Sequence, residues 1–357
     1  MRTSRILMVS LSIVALVSSG CGDDDSTDSS ATTTATPTPS TGPQSYTVVV
    51  DGPSTLGAEN FVFGTYFPKT VSVRPGDSIT FDNRSSNDIH TVTFGVKSDR
   101  SDSPPVVTKA GQENPAVFKP CFTTEPVKPA MTSCPPPTAG TPEFEGRGFW
   151  NSGVILPTSL PPEAGPKTTT VKLATEIAPG PYLVTCLLHP FMESTVQVVG
   201  SDTERQTPAE VAAAADKELG QAKAAVAGLA PPAPETTATG TTVAASWGDK
   251  LVVVNRFAPE TVSIKVGQTV TWRSVTTWMP HTVSFEPPFA SPSEPDALLP
   301  AGAESGSKFA GGVSHSGIFG PKPYYPVETF SLTFTKAGRY PYLCLLHPGM
   351  AGTVQVT

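Results

Sequence analysis

Apolar and polar residues alternate through much of this chain, in short runs punctuated by turn signals. Val71 and Val73 alternate with Thr70 and Ser72, and Ile79 and Phe81 with Ser78 and Thr80, while Pro75-Gly76 marks a turn between them. With Tyr46 to Val50 upstream, these runs predict half-buried strands. The pattern then returns. The fragment from Pro68 to Phe81 matches the fragment from Pro259 to Trp272 at an offset of 191 residues, and His90-Thr91-Val92-Thr93-Phe94 meets His281-Thr282-Val283-Ser284-Phe285 at the same offset. Farther on, Cys186 and Cys344 are only 158 residues apart. The first half therefore carries 33 extra residues (191 less 158) between its histidine and its cysteine. An insertion that displaces no repeated motif is expected in a surface loop. Gly180-Pro181-Tyr182 and Gly338-Arg339-Tyr340 precede the two cysteines, and Thr195-Val196-Gln197-Val198 and Thr353-Val354-Gln355-Val356 read as closing strands. Strands spaced by turns, repeated once, predict two β-sandwiches with no helix inside either repeat.

A different period separates the halves. Thr207-Pro208-Ala209-Glu210 is a capping box with proline at the first helical position, so an Ala-rich helix should start there and stop near Gly228. Val211, Ala215, Leu219, Ala222, Val226 and Leu229 form a narrow apolar stripe at helical spacing. The stripe is expected to lie on one domain and fix the relative position of the pair. The resulting division is 1–20, 21–45, 46–200, 201–246 and 247–357, the last and third segments being the sandwiches and 201–246 the helical linker.

Composition agrees with short strands: Pro is 39 and Gly 30 of 357 residues, with only 15 % charged. At the N-terminus, Arg2 and Arg5 precede an apolar run from Ile6 to Val17 and then Ser18-Ser19-Gly20-Cys21. The run is too short to span a bilayer and reads as a cleaved signal segment. Small residues ahead of a cysteine resemble a bacterial lipobox, with a lipid expected on Cys21, although Ser18 stands where that motif prefers Leu. Simple secretion or a periplasmic location is the alternative. Residues 21–45 are rich in Asp, Ser, Thr and Pro and read as a disordered tether. The formal charge of -7 for the whole chain becomes about -9 once residues 1–20 are removed. That balance argues against nucleic acid as a partner and suits a basic docking protein. Cys121 and Cys134 share one Pro-rich stretch of an exported chain and are expected to form a disulfide.

The chemistry is concentrated in one signature written twice. Cys186, His189 and Met192 follow one another at intervals of three, as do Cys344, His347 and Met350. His90 and His281 stand upstream of these. Two imidazoles, a thiolate and a thioether make the ligand set of a blue-copper site. Three of the four lie within seven residues, so a single turn between two strands can present them to one point, with the remaining histidine arriving from a neighbouring strand.

This spacing, with a Tyr-containing strand before the cysteine and His-Pro-Phe-Met or His-Pro-Gly-Met after it, resembles the cupredoxin family, amicyanin-like and plastocyanin-like proteins in particular. The resemblance covers most of 46–199 and 248–357. It implies an all-β chain of two Greek-key β-sandwiches joined by the Ala-rich helix. It implies one copper ion per domain, two in total, held by His90, Cys186, His189 and Met192 in the first and by His281, Cys344, His347 and Met350 in the second. Electrons would pass between redox protein donors and acceptors through the exposed edges of His189 and His347, with Pro190, Phe191, Pro348 and Gly349 contributing apolar docking patches. Thr91 and Thr282 depart from the family, which often places Asn there to tie the two ligand loops by a side-chain hydrogen bond.

Other functions fit the residues less well. A multicopper enzyme such as a small laccase or nitrite reductase needs further histidines beside the thiolate. Here Thr185, Leu187, Leu343 and Leu345 flank the cysteines, and four of the five histidines are already committed. No enzymatic activity and no small-molecule substrate are expected. Copper storage or delivery, or a structural cupredoxin without electron transfer, is the alternative. The fifth histidine, His315, matches Asn151 in the first half and is expected to be a hydrogen-bonding residue, not a ligand. Trp150, Trp247, Trp272 and Trp278 are expected to pack in cores or loops.

Overall fold

The computed structural model describes residues 42–53, 55–56, 59–106, 114–135, 142–286, 304–325 and 327–357, which fall within one compact unit, Thr41–Thr357. The signal segment, Cys21 and most of the tether lie outside the described residues.

Strand Ser78–Asn83 shows how the alternation becomes a layer: Ile79, Phe81 and Asn83 point inward and are buried, while the residues between them are only half-covered. It pairs parallel with Ser45–Val50 and antiparallel with Thr168–Lys172, and Tyr66–Phe67 completes this four-stranded sheet. The facing sheet runs Thr70–Val73, Glu193–Val198, Gly180–Thr185, His90–Phe94, Phe149–Ile155 and Cys121–Thr123. Tyr46, Val48, Ile79 and Phe81 from one sheet meet Val71, Val92, Phe94, Val184 and Val196 from the other in a single core. Burying each such side chain contributes about 1.5–3 kcal/mol.

The second half repeats the plan. Thr269–Ser274 pairs parallel with Gly240–Gly248 and antiparallel with Thr329–Phe334. Opposite lie Thr261–Ile264, Ala351–Val356, Gly338–Leu343, Ser284–Phe285 and Ser314–His315. The core is aromatic: Trp272, Phe285, Phe330, Phe334 and Tyr342 pack edge-on or offset with centroids 5.2–6.1 Å apart in the contacts Trp272–Tyr342, Trp272–Phe285, Trp272–Phe330 and Phe285–Phe334.

The 33-residue insertion is more than a surface loop. Within it, Asn114 caps a four-residue helix, Pro115–Phe118, by accepting the Ala116 amide, and Cys121–Thr123 adds an edge strand against Phe149–Ile155. Val117 and Cys121 are fully buried, and the Asn151 amide donates to the carbonyls of Ala116 and Val117. The insertion has its own apolar residues to bury, and that draws it onto the sheet. Cys121 and Cys134 form the expected disulfide, with Cα atoms 5.4 Å apart. The close approach here requires a glycine: Gly95 has φ +85°, and a Cβ on it would lie 1.8 Å from the Gly148 carbonyl oxygen.

Two devices join the sandwiches. Strand Glu59–Phe63, from the first half of the chain, pairs antiparallel with Val252–Ala258 and so extends the sheet of the second half. Gly64 continues the contact by donating its amide to the Leu251 carbonyl at 2.8 Å. The second device is the helix Pro208–Val226, whose predicted capping box is formed: Thr207 accepts the Glu210 amide, and the Glu210 carboxylate accepts the Thr207 amide at 2.7 Å. Its buried residues are Val211, Ala215, Leu219, Ala222 and Val226, with Leu229 partly buried beyond it, as the stripe predicts. It does not lie on one domain. Val211 packs into the core of the first sandwich, while Ala215, Leu219, Ala222 and Val226 cluster with Val49 and Phe67 of the first half and Ala244, Val252, Val254 and Ala258 of the second. The strand Glu59–Phe63, crossing between the halves, brings Phe61 and Phe63 into the same cluster, giving the helix a composite surface to cover. Ahead of it, Arg205 pairs with Asp77, and Gln206 accepts the Ser72 amide, fastening the linker to the first sandwich.

Replacing Leu219 by Ala should lower stability by about 2–5 kcal/mol, the usual range for a buried leucine. The exposed Lys217→Ala on the same helix should stay within about 0.5 kcal/mol of wild type. Urea unfolding midpoints of the full chain compare the two.

Candidate metal centres

Each quartet is assembled by two adjacent strands and one turn. In the first, His90 opens the strand His90–Phe94, which pairs with Gly180–Thr185, and Cys186 follows directly on the end of that partner. The chain then turns through His189 and Met192: the Met192 amide donates to the His189 carbonyl at 3.2 Å, and the Cys186 amide to the Met192 carbonyl at 3.1 Å. The second half repeats both bonds, Met350 to His347 at 3.0 Å and Cys344 to Met350 at 2.9 Å. All eight residues are buried.

The donor atoms converge. The Cys186 sulfur lies 3.6 Å from His189 Nδ1 and 3.9 Å from His90 Nδ1, and the two imidazole nitrogens are 3.1 Å apart. In the second site Cys344 Sγ lies 3.5 Å from His347 Nδ1 and 3.9 Å from His281 Nδ1. In each trio the nitrogen and sulfur atoms lie within 4.8 Å of one another. Met192 and Met350 are buried in the same core clusters as their cysteines. Two imidazole nitrogens and a thiolate around one point, with a thioether side chain close in sequence and buried in the same core, fit copper.

The two cysteines are prepared to be anions. Burial opposes ionisation, but the charges and hydrogen bonds of the paired histidines outweigh it and hold both thiols well below their ordinary range. Backbone amides add to this: Thr91 donates to Cys186 Sγ at 3.3 Å and Thr282 to Cys344 Sγ at 3.4 Å. The threonine hydroxyls also accept the next amide across the loop, Leu187 to Thr91 Oγ1 and Leu345 to Thr282 Oγ1, each at 2.8 Å. Thr91 and Thr282 thus tie the two ligand loops as Asn does in the family.

Several supporting residues gave no sequence signal of their own. Ser152 and Ser316 accept the amides of Val92 and Val283, two residues past the upstream histidines, at 2.9 and 2.8 Å. Both lie in the repeated Ser-Gly pair of Trp150-Asn151-Ser152-Gly153 and Ser314-His315-Ser316-Gly317, which was the available clue. His315 hydrogen-bonds Ser284 at 2.7 Å where Asn151 accepts from Thr93 at 2.9 Å, so the two are structural counterparts outside the quartets. Behind the upstream histidines the halves diverge. His90 Nε2 lies 3.2 Å from the buried Asp51 carboxylate, whereas His281 Nε2 meets the Ser246 hydroxyl at 2.6 Å. Burial alone would lower both imidazoles. The Asp51 hydrogen bond reverses this and pushes His90 up to about 10, while His281 stays below its ordinary value.

The downstream histidines are not exposed, contrary to expectation: His189 retains 4 % of its surface and His347 2 %. Both ligand turns face the other sandwich. Trp278 of the second half sets its ring edge-on to His189 at 5.3 Å, and Asn60 of the first donates to the Pro348 carbonyl at 3.0 Å. Pro190 is buried too, and Phe191 lies against Tyr324 and under the Lys250 ammonium. Of the four expected patch residues, Phe191, Pro348 and Gly349 are exposed.

The chain is similar in sequence to known copper proteins. The profile of the copper-binding plastocyanin/azurin family matches residues 253–357. Plastocyanin from Scenedesmus fuscus is 33% identical over 102 residues, 28% of this chain and 85% of that protein. The chain belongs to this family, the cupredoxins. Amicyanin from Paracoccus denitrificans is 32% identical over 117 residues, 32% of this chain and 70% of the amicyanin. Among solved structures, a Cu(I) amicyanin mutant aligns at 23% identity with a TM-score of 0.22, over 35% of this chain and 92% of its own. A mutant plastocyanin of fern aligns at 21% with a TM-score of 0.22, over 32% and 99%.

Thr91→Val removes the acceptor of a buried amide while keeping side-chain volume. It should cost metal-free protein about 1–3 kcal/mol, whereas Thr91→Ser should cost much less. Thr282 should behave alike, as chemical denaturation of each variant would reveal.

Proposed function

We propose that this cupredoxin is an exported electron carrier with two type 1 copper centres, one held by His90, Cys186, His189 and Met192 and the other by His281, Cys344, His347 and Met350. The observation that carries this reading is the pair of buried trios in which sulfur and imidazole Nδ1 atoms converge on one point. Copper so held supplies a one-electron couple. The residues contribute the rest. Thr91 and Thr282 hold each sulfur against its partner loop, and the strands fix the upstream imidazoles. A stiff four-ligand site changes little between oxidation states and exchanges its ion slowly, which favours electron transfer over storage or delivery. The names of the plastocyanin and amicyanin relatives, and the family's copper-binding description, support the same reading.

Redox proteins outside the cytoplasm are the proposed donor and acceptor. The apolar run before Cys21 supports export, and the lipobox-like Ser18-Ser19-Gly20-Cys21 supports a lipid anchor at Cys21. Among the described residues no helix is long and apolar enough to cross a membrane. The proposed copper domains are 46–200 and 247–357, with 201–246 between them.

Copper-loaded protein should contain two ions and an intense thiolate-to-copper visible band. Cys186→Ser and Cys344→Ser should each leave one ion and remove one of two spectral components. A chain that binds copper without that band would end the type 1 assignment. Separately, Cys21→Ser should move the protein expressed in a bacterial host from the membrane fraction to the soluble one, an outcome read by fractionation and immunoblot.

A further inference from the structure

The two quartets differ in what stands behind the upstream histidine, and they meet where a single cupredoxin would expose its downstream one. Asp51 and Ser246 occupy the same structural position. Val50 pairs with Asn83 and Ala245 with Ser274, the partners Asn83 and Ser274 being 191 residues apart, and the residue after Val50 and after Ala245 has a left-handed backbone, φ 56° and 60°. Ser246 offers His281 a neutral hydroxyl. Asp51 is fully buried, and its Oδ1 accepts the amides of Gly52 and Phe63, each at 2.7 Å, leaving Oδ2 for His90. A carboxylate on the outer nitrogen of a ligating histidine raises the basicity of that ligand and favours the more highly charged ion. Low surrounding polarity strengthens the effect.

Other charges near the first quartet do not cancel it. Arg100 donates to the His189 carbonyl at 3.0 Å and to Thr185 Oγ1 at 2.5 Å, touching the loop but not the ligand rings. Asp88, whose Oδ2 lies 3.3 Å from His189 Nε2, offsets that guanidinium. Asp51 therefore places on the first site a carboxylate that has only the Ser246 hydroxyl as its counterpart on the second. Among the described residues no carboxylate contacts a ring of the second.

The seam links the sites. Asp88 also acts electrostatically on His281 and His347, and Trp278, which touches His189, stands three residues before His281 in the chain. Both downstream imidazoles are buried here, and each ligand turn faces the other sandwich. We propose that the two quartets form one unequal pair. Electrons exchange across the His189–Trp278–Asp88 seam and rest on the second site, because Asp51 holds the first at the lower potential. The exchange is balanced by the two ions alone: one electron leaves the copper at the first quartet, oxidising it from Cu(I) to Cu(II), and reduces Cu(II) at the second. No proton moves.

This inference rests on the type 1 assignment above, and its test separates the two. Copper-loaded full-length protein is given one electron equivalent, and the remaining Cu(II) is read by visible absorption and paramagnetic resonance, with the Cys186→Ser and Cys344→Ser chains supplying the component spectra. The electron should favour the second site at least tenfold, equivalent to about 59 mV for a one-electron couple. Asp51→Ser should reduce that preference tenfold or more, and Ser246→Asp should do the same from the other side, which keeps the test decisive should Asp51→Ser fail to fold. An electron delivered by a flash-generated reductant should then redistribute at a rate independent of protein concentration. Equal partition, preference for the first site, ratios unmoved by either substitution, or a rate proportional to concentration would each overturn the unequal pair while leaving the type 1 assignment intact. Loss of both visible components in wild type would overturn both.

Discussion

A sulfur that must carry negative charge in a dry interior is the constraint on which both halves of this protein are built. An unpaired buried thiolate would be expensive, so each is surrounded before any ion arrives: two imidazoles, a backbone amide from Thr91 or Thr282, and the loop tie from the same residue's hydroxyl. These partners come from strands paired side by side, and the sandwich is what keeps them at fixed distances.

The seam between the sandwiches follows from the same economy of burial. A lone cupredoxin leaves its downstream histidine at the surface, within an apolar patch. Two such patches on one chain can cover each other. Here the two downstream histidines are buried, Phe191, Pro348 and Gly349 stay exposed, and a borrowed strand, Glu59–Phe63, with a helix packed on both halves joins the sandwiches. The cost is that neither imidazole edge reaches solvent. Asp88 lies 3.3 Å from His189 of the first site and acts electrostatically on His347 of the second. The repeated sandwiches are thus packed into one unit with an internal seam.

Divergence between the copies is concentrated outside the ligands. All eight residues of the two quartets, both loop threonines and both supporting serines recur in the two halves, and the threonines and serines each satisfy a buried backbone amide. Asp51 and Ser246 differ because either satisfies the imidazole nitrogen, and the choice changes charge without breaking geometry. His315 and Asn151 differ for the same reason, each serving a neighbouring hydroxyl.

The sequence by itself determined the local matters. Alternation at period two marked the strands, the capping box and stripe marked the helix, and ligand spacing within one turn marked Cys186, His189, Met192 and their counterparts, because each of these depends on neighbours a few residues away. The offset of 191 residues carried His90 and His281 across the long gap, and the Cys121–Cys134 bridge followed from their closeness in the chain. Tertiary structure decided the rest. No periodicity announces that a strand from one half will complete the sheet of the other, that the helix covers both, or that Val117 and Cys121 will draw an insertion onto a sheet edge. Nor could spacing place Asp51 behind His90 or Trp278 over His189. Those contacts join residues far apart in the chain, and only the shape and burial of the assembled surfaces select them.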